Sequence, residues 1–273
     1  MSVITISREL GSLGTEIARE VAEKVNYEYV DKEKIGKILA DFGLAPEDFE
    51  EIDEKAPPLW DFFSIQRTSF LIRIEAAIYD FARKGKVVIV GRGGQVLLRN
   101  LPGTLHVRIF APFDLRVKRL VESERVDERH AVRMLRRSDH DSAAYIQSFF
   151  NADWNDASLY DLVINTQKLS PAIAAKLIIA SIHSGEIQEG GEKGKGKLAE
   201  LALVQKAKAK LVPILGSNLH YVEIRAERGI LVLRGEVPSS ELKEECERRV
   251  AALEGIDRVE NQLSVTQYYQ YST

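Results

Sequence analysis

Apolar and polar positions change rhythm repeatedly along the first 184 residues, from short apolar runs to helical spacing and back. Val3-Ile4-Thr5-Ile6 predicts a buried strand, and Ile17-Ala18, Val21-Ala22 and Val25 then recur at helical spacing. Tyr27–Asp31 predicts a short second strand and Lys32–Phe42 a helix, while Pro46–Pro58 is acidic and turn-rich. Phe62–Lys84 is periodic through Phe63, Ile65, Phe70, Ile74, Ala77, Ile78 and Phe81, which predicts a long helix. Lys86–Val90 is nearly continuous apolar sequence, as in a parallel strand covered on both faces. Gly91-Arg92-Gly93-Gly94 follows, then a short helix over Gln95–Arg99 and a strand over His106–Phe110. Helices are predicted over Pro112–Glu122, Asp127–Asp139, Asp141–Asn151 and Ser170–Ser184, with a strand at Tyr160–Asn165. Strands alternating with helices imply an α/β domain with a three-layer parallel sheet. Ligands of such sheets sit at the carboxyl ends of the strands, where both glycine loops, 7–14 and 91–94, fall.

The pattern stops at GEIQEGGEKGKGK, which begins at Gly185. This composition cannot build a core and predicts a flexible linker over 186–197, separating a domain at 1–185 from one at 198–268. The second domain reads as a helix (Leu198–Leu211), two strands (Val222–Ala226 and Ile230–Val237) joined at Arg228-Gly229, a helix (Ser240–Leu253) and a strand (Val259–Val265), a small α+β module. It carries no His/Cys cluster and no nucleophile with an evident base.

Composition narrows the possibilities. A hydrophobic fraction of 45% supports a core, and a net charge of −3 gives no electrostatic reason for general nucleic-acid binding. The one cysteine, Cys246, excludes an intrachain disulfide. No basic segment with a long apolar run opens the chain and no stretch of about 18 apolar residues occurs, so a cytoplasmic protein without a membrane span is expected.

The candidate chemistry lies in the glycine loops. A strand, a glycine-containing loop and a helix start together suit phosphate, because glycines let the backbone approach the anion and free N–H groups point at it. Ser7, Arg8, Gly11, Ser12, Leu13, Gly14 and Thr15 are the candidate phosphate-binding residues. The lysine of G-x-x-x-x-G-K-[ST] is missing. Helix register puts Gly14 in the lysine slot and Thr15 in the Mg²⁺-binding hydroxyl slot; a shift by one puts Thr15 in the lysine slot. Arg8 is a replacement cation in either register. Arg92, in a glycine loop at a strand end, has the planar fork for bidentate phosphate contact. Arg129, Arg133, Arg136 and Arg137 share a helical spacing that suits either a charge clamp or a solvated face. Asp31 suits a substrate contact or a helix cap.

Five carriers together resemble the cytidylate kinase-like family of P-loop nucleoside monophosphate kinases over about 1–183. They are SRELGSLGTEIA, Tyr29-Val30-Asp31-Lys32-Glu33, Gly91-Arg92-Gly93, SDHDSAAYIQSFFNADW and Leu159–Thr166. The resemblance implies a P-loop kinase-like domain that transfers the γ-phosphoryl of ATP, with Mg²⁺ at Thr15, to a CMP-like nucleoside monophosphate. Asp31 and Arg92 would then hold the substrate, and Arg92, Arg133, Arg136 and Arg137 would neutralise charge during transfer. The family's basic lid positions are occupied here by His140 and Ser142, and its Gly-Arg-Asp by Gly91-Arg92-Gly93, which with the missing lysine implies weak activity. The alternative is a nucleotide-sensing module without turnover. Residues 198–267 resemble a BON domain through Gly229–Pro238 and Gly255–Val265, which implies a phospholipid or small-ligand partner.

Overall fold

A computed structural model describes residues 2–41 and 65–266. The acidic stretch 46–58, the start of the predicted 62–84 helix and the three C-terminal tyrosines lie outside the described residues. The described chain forms two compact units, one from 2–37 and 84–195, the other from 38–41, 65–83 and 196–266.

The first unit is built on five parallel strands: β1 (Val3–Arg8), β2 (Glu28–Val30), β3 (Val87–Val90), β4 (Thr104–Phe110) and β5 (Leu162–Asn165). Their spatial order is β2-β3-β1-β4-β5, with β1 central. Ile4, Ile6, Val88, Val90, Val107 and Ile109 pack with Ile17, Val21, Ala174 and Ile178 of α1 (Gly14–Val25) and α7 (Pro171–Ile182). The alternate residues Val3, Thr5, Val87 and Ile89 are also buried, so the central strands are covered on both faces, as their unbroken apolar runs require. His106 on β4 sits among these residues with Thr5 Oγ1 2.8 Å from its Nδ1, and burial holds its imidazole below the usual histidine range.

The remaining elements of this unit are α2 (Lys32–Asp41), which crosses the unit boundary, α4 (Gly94–Leu97), α5 (Phe113–Glu124) and α6 (Glu128–Phe150). Helix α6 opens on Asp127, whose side chain accepts from the His130 N–H. It replaces the two helices expected over 127–139 and 141–151, because Ser138–Asp141 contains no Gly or Pro to break the hydrogen-bond ladder.

Helix α8 (Gly185–Leu215) runs through the segment whose composition suggested a flexible linker. Gly190 and Gly194 lie against the Pro102-Gly103 turn, where a Cβ on Gly190 would come 2.8 Å from the Gly103 nitrogen. A Cβ on Gly103 would collide with the Gly191 backbone. These glycines therefore permit close backbone packing, which composition alone cannot distinguish from chain freedom. Gly196 is exposed in the same helix with nothing within 4 Å of a built Cβ. Gly196→Ala is accordingly expected to stabilise the protein by about 1 kcal/mol, read as a raised urea midpoint. An unchanged midpoint would argue against helix at this position.

The second unit holds a three-stranded sheet in the order β6-β7-β8, formed by Val222–Glu227, Ile230–Val237 and Arg258–Val265. Strands β6 and β7 are antiparallel and β7 and β8 parallel. Arg228 and Gly229 turn the first pair with φ of 48° and 80°, as a two-residue hairpin demands. Helix α9 (Ser240–Ala251) buries Cys246 and Val250, and burial pushes the thiol up to about 11, an inert packed side chain. Most of α3 (Ile65–Lys84) belongs to this unit, where Asp80 pairs with Lys206 and with Arg83.

Candidate functional site

The loop after β1 is held open by side chains from elsewhere in its unit. Gly11 (φ 74°) and Leu13 (φ 64°) are left-handed, a conformation costly for leucine. The Ser12 hydroxyl donates to the Glu9 carbonyl at 2.7 Å, and the Thr166 hydroxyl donates to the Ser12 carbonyl at 2.9 Å. The Glu9 carboxylate lies 3.3 Å from both Arg108 and Arg116, and Arg119 Nη1 donates to the Gly11 carbonyl at 3.2 Å. Arg116 also makes a two-pronged contact with Asp139 of α6, each bond 2.9 Å. Helix α1 starts at Gly14 with no side-chain cap, so its first N–H groups lack intrahelical acceptors. Gly14 is the first residue of α1 and Thr15 the second.

A second loop, Gly91-Arg92-Gly93, follows β3 with φ of 75°, 57° and 73°. Gly93 admits the Phe150 ring, with which any Cβ would collide. The Arg92 guanidinium lies 5.8 Å over the Tyr145 ring. Between the loops opens a cavity of about 520 Å³, lined in part by Ser7, Arg8, Lys32, Arg92, Arg137 and Tyr145. A cleft of about 230 Å³ beside it is lined by Gly11, Leu13, Gly14, Thr15 and Arg119 among others. Burial lowers the pKa of Arg8, against the pull of Tyr29 and Asp31. Burial lowers that of Arg92 too; Tyr145 opposes this and the nearby Arg8 adds to it. Two partly buried guanidiniums therefore line one space.

The expected residues divide between these spaces. Ser7, Arg8, Arg92 and Arg137 line the cavity; Gly11, Leu13, Gly14 and Thr15 line the cleft. Ser7 is committed to packing, because its hydroxyl accepts from the Trp154 indole at 2.7 Å. Ser12 is fully buried and staples the loop. Asp31 caps α2 by accepting from the Lys34 N–H at 3.1 Å. Arg129, Arg133 and Arg136 are exposed on α6 and line neither space, while Arg137 lies 3.5 Å from Asp141. Tyr145, Phe149 and Phe150 stack against one another at 4.8–6.4 Å, as packing aromatics do.

Sequence reasoning passed over Arg108, Arg116 and Arg119. Arg116 was the most detectable: it sits beside Val117 and Leu120 on the buried side of α5, where an arginine needs buried partners. The others depend on Glu9, Asn155 and Thr166, which are distant in the chain. Among the described residues no cluster of three His, Cys, Asp or Glu side chains could hold a metal, and no helix is long and apolar enough to cross a membrane.

A parallel sheet ordered β2-β3-β1-β4-β5, with a glycine loop joining its central strand to a helix, is a P-loop kinase-like fold. The chain belongs to the cytidylate kinase-like family, whose model matches residues 3–168, and residues 213–267 match the BON domain. It is 28% identical over 193 residues to a cytidylate kinase of Pyrococcus horikoshii, covering 70% of this chain and 94% of that one. A cytidylate kinase of Staphylothermus marinus is 30% identical over 171 residues, 62% of this chain and 90% of the relative. An uncharacterized protein from Eubacterium ventriosum, solved by crystallography, superposes with a TM-score of 0.52 at 27% identity, over 67% of this chain and 99% of that one. These relationships support a nucleotide kinase-like function.

Proposed function

We propose that the first unit transfers the γ-phosphoryl group of ATP to a nucleoside monophosphate, with CMP as the first substrate to test. The observation that carries this reading is the convergence of Arg8 and Arg92 on one cavity beside the glycine loop. Backbone N–H groups at 14–16 and the Arg119 guanidinium would hold donor phosphates in the cleft. Arg92, with Lys32 and Arg137, would hold the acceptor phosphate in the cavity. In transfer, the bond from the γ-phosphorus to the β-phosphate bridging oxygen breaks and a bond to an acceptor phosphate oxygen forms, giving two nucleoside diphosphates. The protein's part is positioning and charge neutralisation.

Mg²⁺ fits this site as a substrate-borne ion. Magnesium retains water and phosphate ligands and needs only one or two from protein, and Thr15 in the cleft offers a hydroxyl. The ion would neutralise the β- and γ-phosphates.

Gly14 in the lysine slot favours a second reading, a module that binds nucleotide without turnover. Titration calorimetry with ATP, CMP and AMP, paired with a coupled phosphotransfer assay, decides between them. Saturable ATP and CMP binding with turnover is the expected result. Tight binding with no turnover of either monophosphate leaves the binding module; no binding removes both.

A further inference from the structure

In a lysine-containing loop the cation rises from the first residue of the helix. Here that residue is Gly14, and the space above it is already filled. A Cβ built on Gly14 would collide with Arg8 Cβ and lie 2.9 Å from Arg8 Cγ. A lysine at 14 and an arginine at 8 therefore exclude each other. The Arg8 side chain continues to the end of β3, where its Nη1 lies 3.2 Å from a Cβ built on Gly91. Arg8, Leu10, Ser138 and Ser142 line both the cavity and the cleft, and among these four only Arg8 carries charge.

We propose that Arg8 replaces the loop lysine from the strand side, bridging donor and acceptor phosphates, and that Gly14 lacks a side chain because the Arg8 stem needs its space. This rests on the phosphoryl-transfer reading above. The guanidinium makes and breaks no covalent bond in the transfer; it neutralises the migrating group with a fork that spans two oxygens, where a lysine offers a point charge. Position 8 and position 14 then form one exchangeable unit: the cation can come from either side, but not from both.

The test is a reciprocal exchange in the full chain, with ATP binding measured by calorimetry, transfer to CMP by coupled assay, and folding by thermal denaturation. Arg8→Gly is expected to weaken ATP binding about tenfold or more, the loss of one charge-assisted contact. It should also slow transfer about 10²–10³-fold. Arg8→Met, which keeps the stem over Gly14, should do the same without loosening the fold. The double variant R8G/G14K is expected to bind ATP within about threefold of wild type. G14K alone should lose thermal stability, because the two stems collide.

Wild-type ATP affinity in R8M overturns the proposal, as does a folded R8G/G14K that binds ATP no better than R8G. If the wild type binds ATP yet turns over no monophosphate, the transfer reading fails and the exchange is still judged by binding. If R8M keeps wild-type affinity while the wild type turns over CMP, the transfer reading stands and the role of Arg8 falls. A wild type that binds no ATP overturns both.

Discussion

Arg92→Met is expected to slow phosphoryl transfer about 10²–10³-fold while leaving the fold intact. The argument begins with the backbone. Arg92 holds φ at 57° between two left-handed glycines, and methionine meets the same backbone cost as arginine there, so the exchange adds no strain. Methionine also keeps an unbranched stem against Tyr145 while removing the charge and the guanidinium's hydrogen-bond donors. What is lost is a desolvated cation beside Arg8, in a space where the low local dielectric raises the worth of each charge. Steady-state kinetics with CMP and a thermal melt check the prediction. A fall in kcat with unchanged KM places the contact in the transition state; a raised KM with unchanged kcat places it in ground-state binding of the acceptor. Activity within about threefold of wild type on both parameters would remove Arg92 from the site. Arg92→Lys should recover part of the rate, since it restores charge without the planar fork.

The second large effect is on stability. Arg116→Met is expected to cost about 3 kcal/mol, the low end for breaking one side of a buried ion pair, because Glu9 keeps Arg108 as a partner. Arg116 is 5% exposed and joins three places: the Glu9 and Leu10 part of the loop, the Ala111 carbonyl, and Asp139 of α6. A loss of that size is a large part of the stability of an ordinary domain. Nucleotide affinity should fall with it, since the guanidinium that is lost ties the Glu9 carboxylate and the Leu10 carbonyl of the loop to Asp139 of α6. Urea denaturation of Arg116→Met beside Arg133→Met measures the effect. The exposed Arg133 should change the midpoint little, within about 0.5 kcal/mol. Equal midpoints for the two variants would show that the Arg116 network does not hold the loop.

The legibility of this protein from sequence varies with the range of the interaction concerned. Strands β1, β3 and β4 were visible because buried parallel strands are short apolar runs, and that property is local. The two glycine loops were visible for the same reason, and so was their place at the carboxyl ends of strands. The 185–197 segment misled because glycine serves two opposite purposes. It frees a chain that has no neighbours, and it lets backbones approach where neighbours exist; the Pro102-Gly103 turn that decides between them is some 80–90 residues away in the chain. For the arginines of α6 the sequence left a charge clamp and a solvated face both open. Their spacing shows that Arg133 and Arg137 share a side of the helix, but only packing determines that Arg137, exposed like Arg133 and Arg136, borders the cavity while those two do not.

The sequence by itself determined the alternation of strand and helix, the family, the two glycine loops and the absence of the loop lysine, all of which are carried by residues close together along the chain. Tertiary structure decided which cations line the cavity between the glycine loops and what braces the first loop. Arg8 and Arg92 meet because β1 and β3 are neighbours in the sheet, although about 84 residues of chain separate them. Glu9 is tied to Arg108 and Arg116 across about 100 residues. Electrostatics and steric exclusion act through space at a few ångströms, so a site built from charges on separate strands is fixed only when the strands are placed side by side.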